Sequence, residues 1–184
     1  MKSPNYFIVK PKENKRYKNT EKFGDFDFLM TNSLEKADHT NREAEVLILP
    51  ENYEGNIEVG DILIVHHNTF RIMRTQRNTV LNSRAYVMDG MYAITDYYLH
   101  IDKKGDKFTK SPYIFMQPII EEDLERGLGE NENIAKVIIN NDYIEKLGIK
   151  KGNTYAIKDF RNYVFRIDKQ DYYRVTADSV LAEV

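Results

Sequence analysis

Apolar residues along this chain come in short, β-branched or aromatic runs separated by turn residues, a pattern that predicts strands in preference to helices. Tyr6–Lys10 reads as a strand ended by Pro11. Lys12–Asn41 is then a long polar stretch with one apolar island, Phe26-Asp27-Phe28-Leu29-Met30. Glu45–Leu49 is a further strand, Ile57–Asp61 a glycine-containing turn, and Ile62–Val65 a buried strand. Phe70–Met73 follows, with a polar, Arg-bearing excursion to about Asn82. Tyr86–Met88 leads into Asp89-Gly90, a hairpin-turn dipeptide, and Tyr92–Thr95 and Leu99–Ile101 close the unit. Asp102–Lys107 is charged and contains a glycine, as a linker would.

The second half repeats this order, which predicts a duplication. Tyr113–Pro118 answers Tyr6–Pro11, with tyrosine and proline in the same places. Ala135–Ile139 answers the strand at Val46, and Ile149–Ile157 answers Ile57–Val65 with its glycine kept. Phe165-Arg166-Ile167 repeats Phe70-Arg71-Ile72, and Val175–Leu181 answers Ile94–Leu99. The expected domains are 1–104 and 105–184. The copies differ between their first two strands, where copy one carries roughly thirty residues and copy two about sixteen; so long a loop inside a small domain is usually functional or disordered.

Composition narrows the function classes. With 184 residues, 41% of them hydrophobic, the chain can bury two small cores. Lys and Arg number 27 against 29 Asp and Glu, and this balance argues against a sequence-independent nucleic-acid binder, which carries a basic excess to neutralise phosphates. There is no cysteine, so neither disulfides nor thiolate metal sites support the fold. The first residues lack the apolar run of a signal peptide and no stretch approaches membrane-spanning length, so a cytoplasmic protein without a membrane partner is expected.

In order, these landmarks resemble the GroES family of co-chaperonins. The family opens with a strand like Phe7–Glu13 and continues into a mobile loop bearing a hydrophobic tripeptide, where Phe28-Leu29-Met30 followed by Thr31-Asn32-Ser33 stands here. Asn41–Leu47 is similar to the family's loop exit, with Ala44 and an extra residue in place of its tighter spacing. Val59-Gly60-Asp61 followed by Ile62–Val65 is similar to its most recognisable motif. Ser179–Val184 resembles its closing strand. Val65–Arg71 together with Asn82–Tyr86 looks more like phage-encoded members than bacterial ones. The resemblance implies an all-β chain of two tandem, partly open GroES-like β-barrels, one with a mobile loop over residues 12–41. It implies a homo-oligomer, of seven chains by analogy with family rings, that caps a GroEL-type chaperonin ring in the cytoplasm, the host's if the chain is phage-encoded. It implies no enzyme activity, no cofactor and no catalytic or metal site. The alternative is a structural or virion interaction protein that reuses the barrel without a chaperonin.

The residues bear on that site directly. Phe28, Leu29 and Met30 are three consecutive large apolar side chains in a polar stretch. Burying each is worth roughly 1.5–3 kcal/mol, and ordering a flexible segment returns about 2–5 kcal/mol, so one loop binds weakly and a ring of loops binds tightly through effective concentration. The bland reading is an ordinary strand in which Phe26, Phe28 and Met30 share a face while Asp27 and Leu29 take the other. Copy two lacks a matching island: Glu121–Gly129 is acidic, with only Leu124 and Leu128 apolar. Domain one is therefore expected to grip the ring and domain two to roof or enlarge the chamber. His66-His67, adjacent in an expected strand, would point to opposite faces and not chelate one ion. Arg71, Arg74, Arg77 and Arg84 form a basic excursion without an acid among them, read as a solvated loop or intersubunit ion pairs ahead of nucleic-acid binding. Asp25, Asp27 and Glu121–Asp123 lack a partner His or nucleophile for acid–base work, and no glycine-rich phosphate or dinucleotide motif is present.

Overall fold

In the computed structural model the described residues are 2–18, 20–23, 26–29, 39–74, 76–77, 79–123, 127–158, 163–167 and 170–184. The chain divides into two compact units, Met1–Asp106 and Lys107–Val184. The fold is all-β, built on a seven-stranded and a six-stranded antiparallel sheet.

The first unit contains β1 (Phe7–Pro11), β2 (Thr20–Phe23), β3 (Phe26–Leu29), β4 (Glu43–Ile48) and β5 (Ile62–Ile64). These are followed by β6 (Met73–Arg74), β7 (Val80–Leu81), β8 (Tyr86–Met88), β9 (Met91–Ile94) and β10 (Leu99–Ile101). The second unit holds β11 (Lys107–Thr109), β12 (Tyr113–Asp123), β13 (Gly127–Ile139) and the short helix α1 (Asp142–Lys146). It ends with β14 (Thr154–Ile157), β15 (Val164–Ile167), β16 (Gln170–Thr176) and β17 (Val180–Glu183).

Within the first unit the main sheet runs β10-β5-β4-β1-β9-β8; within the second it runs β17-β14-β13-β12-β16-β15. The orders correspond strand for strand, and one bulge recurs in both. Val9 lies opposite Val46 and Ile8 opposite Ile48, so Leu47 is an extra residue that bulges β4. Met116 lies opposite Val137 and Phe115 opposite Ile139, which makes Ile138 the same bulge in β13. Pro11 faces Ala44 as Pro118 faces Ala135.

The glycine turn before β5 and β14 is likewise built twice. Gly60 and Gly152 take φ of 93° and 88°, left-handed values that a side chain resists. Their amides donate to the carbonyls of Val46 and Val137 at 2.8 Å in both units. Those residues' own amides donate back to Asp61 and Asn153, at 2.9 and 3.0 Å.

Each unit has its own core. Phe7, Val9, Ala44, Val46, Ile57, Leu63 and Tyr92 lie at the centre of the first, and Ile114, Met116, Ala135, Val137, Ile149 and Tyr155 occupy corresponding places in the second. Residues two apart on a strand face the same way, so the period-two runs supply these cores directly.

One expectation needs correction. The Phe-Arg-Ile repeat is not structurally equivalent. Phe165 lies on β15, whose counterpart by sheet order is β8, whereas Phe70 sits in a turn beyond β5. Both phenylalanines are buried, Phe70 against Tyr92 at 4.8 Å and Phe165 against Phe115 at 5.5 Å, so the shared letters reflect burial and not position. Asp102–Lys107, read as a linker, spans the division between the two units and contains a tight turn. Asp102 Oδ1 accepts from the amides of Lys104 (2.8 Å) and Asp106 (2.9 Å), and Gly105 closes the turn at φ 90°.

Candidate docking arm and its neck

The segment between β1 and β4 was expected to be an irregular loop, yet its described residues form paired structure. Beyond a single 3₁₀ turn at Lys12–Asn14, β2 and β3 make an antiparallel hairpin with Thr20 opposite Leu29, Glu21 opposite Phe28, Lys22 opposite Asp27 and Phe23 opposite Phe26. Phe28 and Leu29 are therefore successive positions of a strand. Met30, the third residue of the predicted site, lies outside the described residues. The corresponding segment of the second unit carries a hairpin too. There β12 and β13 run on past the sheet, pairing Ile120 with Glu130 and Asp123 with Gly127.

The arm leaves the sheet through a neck of charged and polar residues. Tyr17 bridges Thr40, the Lys18 amide donates to the His39 carbonyl at 2.7 Å, and the Asn41 amide donates to the Arg16 carbonyl at 2.8 Å. Asn41, 1% exposed, works as a clasp. Its Nδ2 donates to the carbonyls of Lys12 (3.2 Å) and Lys15 (2.8 Å), while its Oδ1 accepts the Glu43 amide at 3.0 Å. The Glu43 carboxylate, itself buried, accepts from Lys12 Nζ at 2.6 Å and from Lys18 Nζ. Burial would raise this carboxyl's pKa, but the two ammonium groups outweigh burial and hold it below the ordinary glutamate value.

Arg16 ties the neck to the second excursion. Its Nε donates to the Phe70 carbonyl (2.8 Å), Nη1 to Asn82 Oδ1 (2.9 Å) and Nη2 to the Arg71 carbonyl (3.4 Å), and the guanidinium lies over the Tyr92 ring at 5.6 Å. Tyr17 adds a parallel link, its hydroxyl oxygen accepting the Ile72 amide at 2.6 Å. The arm and the β6–β7 excursion are thus fastened together at their bases. Sequence reading missed this cluster. Arg16, Tyr17 and Asn41 lie in a polar stretch without periodicity, and their partners are some thirty to sixty residues away.

No family model, curated protein or solved structure matches this chain. Its functional reading therefore rests on its own residues.

Two further polar pairs occupy equivalent places in the two units. His100 Nε2 and Asp61 Oδ2 lie 2.7 Å apart, with both side chains almost wholly buried, and the same carboxylate oxygen accepts the Glu58 amide at 2.8 Å. In the second unit Asn153 Nδ2 donates to Glu183 Oε1 at 2.6 Å, in the open. The registers of β5 with β10 and β14 with β17 make His100 and Glu183 counterparts.

His66 and His67 lie in a turn, not a strand. Their rings stack at 4.1 Å, His66 Nδ1 accepts the Asn68 amide, and the opposite-faces argument does not apply to them. Among the described residues no group of three or more His, Asp or Glu side chains is placed to hold a metal ion. No helix among them is long and apolar enough to cross a membrane.

Proposed function

We propose that this chain is a co-chaperonin without enzymatic activity, which caps a GroEL-type chaperonin ring and assists ATP-dependent folding in the chamber beneath. The observation that carries the reading is the β2–β3 arm. It is an apolar-bearing hairpin between the first two core strands of a small β-unit, at the place where the GroES-like landmarks put a chaperonin-binding loop. The doubled strand order supports the tandem-barrel architecture that goes with it. In this reading Phe28, Leu29 and Met30 enter an apolar groove on the ring, each arm binds weakly, and several chains acting together close the lid. The neck fixes where the arm emerges while leaving its distal residues to the partner. The setting is the cytoplasm, of a phage's host if the phage-like landmarks are the better guide.

One observation favours the rival reading, a structural or virion protein with no chaperonin partner: Phe26–Leu29 is a paired strand and not an open loop. Pull-down on a chaperonin ring with ATP separates the two. The wild-type chain is retained, and the Phe28/Leu29/Met30 triple alanine is lost by at least about tenfold, the change expected for roughly 1.4 kcal/mol. Equal retention of both proteins removes the arm as the site.

A further inference from the structure

In the second unit, α1 and the 3₁₀ turn Ala177–Ser179 leave a groove between them. Ile144 turns inward from α1 and is fully buried, while Tyr143 and Leu147, four residues apart and so on one face, are 52% and 53% exposed. With Pro112, Thr176, Ala177 and Asp178 they line a groove of about 570 Å³. Asp178 is the one charged residue of this lining; it is exposed, and its carboxylate makes no hydrogen bond or ion pair with the described residues. The first unit fills the equivalent place with its own side chains. Phe7 lies opposite Ile94 and its counterpart Ile114 opposite Val175, so Tyr97 and Asp178, each three residues further on, hold the same position. Tyr97 packs on the first core with its ring 6.2 Å from Phe7, and Tyr53, from the β4–β5 connection, stands 5.0 Å from the same ring. The aromatic side chain that closes this corner in the first copy is thus a carboxylate in the second.

We propose that this groove docks an extended segment of another protein through an aromatic side chain next to an arginine. The ring takes the place that Tyr97 fills internally in the first unit, against Tyr143, Leu147, Pro112 and Ala177, and the guanidinium pairs with Asp178. Charge complementarity selects a cation, because the lining carries one negative charge and no positive one. Arginine suits the site better than lysine: its planar group meets a carboxylate with two hydrogen bonds and lies flat on a tyrosine face. Arg174 already does the latter in this unit, over Tyr113 at 5.0 Å and Tyr163 at 4.6 Å. The walls select a chain over a small free ligand. Sites for small ligands enclose most of the molecule, whereas Tyr143 and Leu147 keep half their surface open, as suits side chains entering from a segment that runs past. This inference does not rest on the capping reading, and no chaperonin enters its test.

The test is a heteronuclear NMR titration of the full chain with an acetylated and amidated Gly-Tyr-Arg-Gly peptide, compared with Gly-Tyr-Glu-Gly, Gly-Ala-Arg-Gly and free tyramine. The amides of Tyr143, Leu147, Ala177 and Asp178 shift and saturate with Gly-Tyr-Arg-Gly. Gly-Tyr-Glu-Gly, which brings a like charge to Asp178, binds about fivefold or more weakly, and Gly-Ala-Arg-Gly, without the ring, is also weaker. Asp178→Asn weakens the Gly-Tyr-Arg-Gly peptide about twofold to fivefold, the range of an exposed ion pair. Asp178→Tyr, which returns the first unit's ring to this corner, loses binding. Both variants change an exposed residue, and their spectra report directly whether the native fold is kept. The proposal is overturned by shifts that fall outside the groove or do not saturate, by Gly-Tyr-Glu-Gly or Gly-Ala-Arg-Gly binding equally well, or by Asp178→Tyr binding like the wild type. Tyramine binding as tightly as the peptide also overturns it, since the occupant would then be a small amine and not a chain.

Discussion

Asp61 and His100 show how one position of a duplicated turn can acquire a different energetic role in each copy. In the first unit the pair is buried, and the same carboxylate also holds the Glu58 amide, so removing the imidazole strands an acceptor away from water. The equivalent Asn153–Glu183 contact is solvated and replaceable by water. His100→Ala is expected to destabilise the first unit by about 2–4 kcal/mol. Asn153→Ala should stay within about 0.5 kcal/mol. Urea unfolding of the two variants checks this; equal losses would show that burial does not separate the pairs.

Among the elements, the neck decides how the arm is presented. Glu43 anchors two lysines from the outgoing chain, and its lowered pKa fixes the sign of the pH dependence. A carboxyl held below its unfolded value of 4.5 contributes stability that is fully present above that pH and is lost as the pH falls through the lower folded value. Glu43→Gln is expected to cost about 1–3 kcal/mol at neutral pH, the range for hydrogen bonds to a charged group. The cost should shrink toward zero in acid. Chemical denaturation across pH 7 to 3 measures it, and a pH-independent difference would mean that the carboxylate charge is not what holds the neck. Hydrogen exchange should show faster opening at Arg16–Lys18 and Phe70–Ile72 in Arg16→Ala, since that side chain links the two excursions.

For the molecule as a whole, two separate cores and two copies of one strand order make each unit self-sufficient in its hydrophobic burial. The arm belongs to the first unit alone. A chain ending at Asp106 is therefore expected to fold, by circular dichroism and cooperative unfolding, and to keep chaperonin retention in the pull-down. A folded fragment with no retention would overturn the division of labour between the units.

The amino-acid pattern by itself determined the all-β class, the doubling and most core positions. These depend on local rules: alternation along a strand, the positive-φ glycine before β5 and β14, and proline at the ends of Tyr6–Pro11 and Tyr113–Pro118. It failed where a short match stood in for a place in the sheet, as with Phe70 and Phe165. It also failed where polar residues found partners far along the chain. Nothing near Arg16 announces Phe70 or Asn82, and nothing near Asp61 announces His100. Only the tertiary structure could pair them, because a hydrogen bond is set by proximity in space, and register and sheet order bring together residues that sequence distance keeps apart. The arm lies between these cases: its apolar island was legible, but its hairpin pairing was not, since the facing strand Thr20–Phe23 carries no alternation of its own to reveal it.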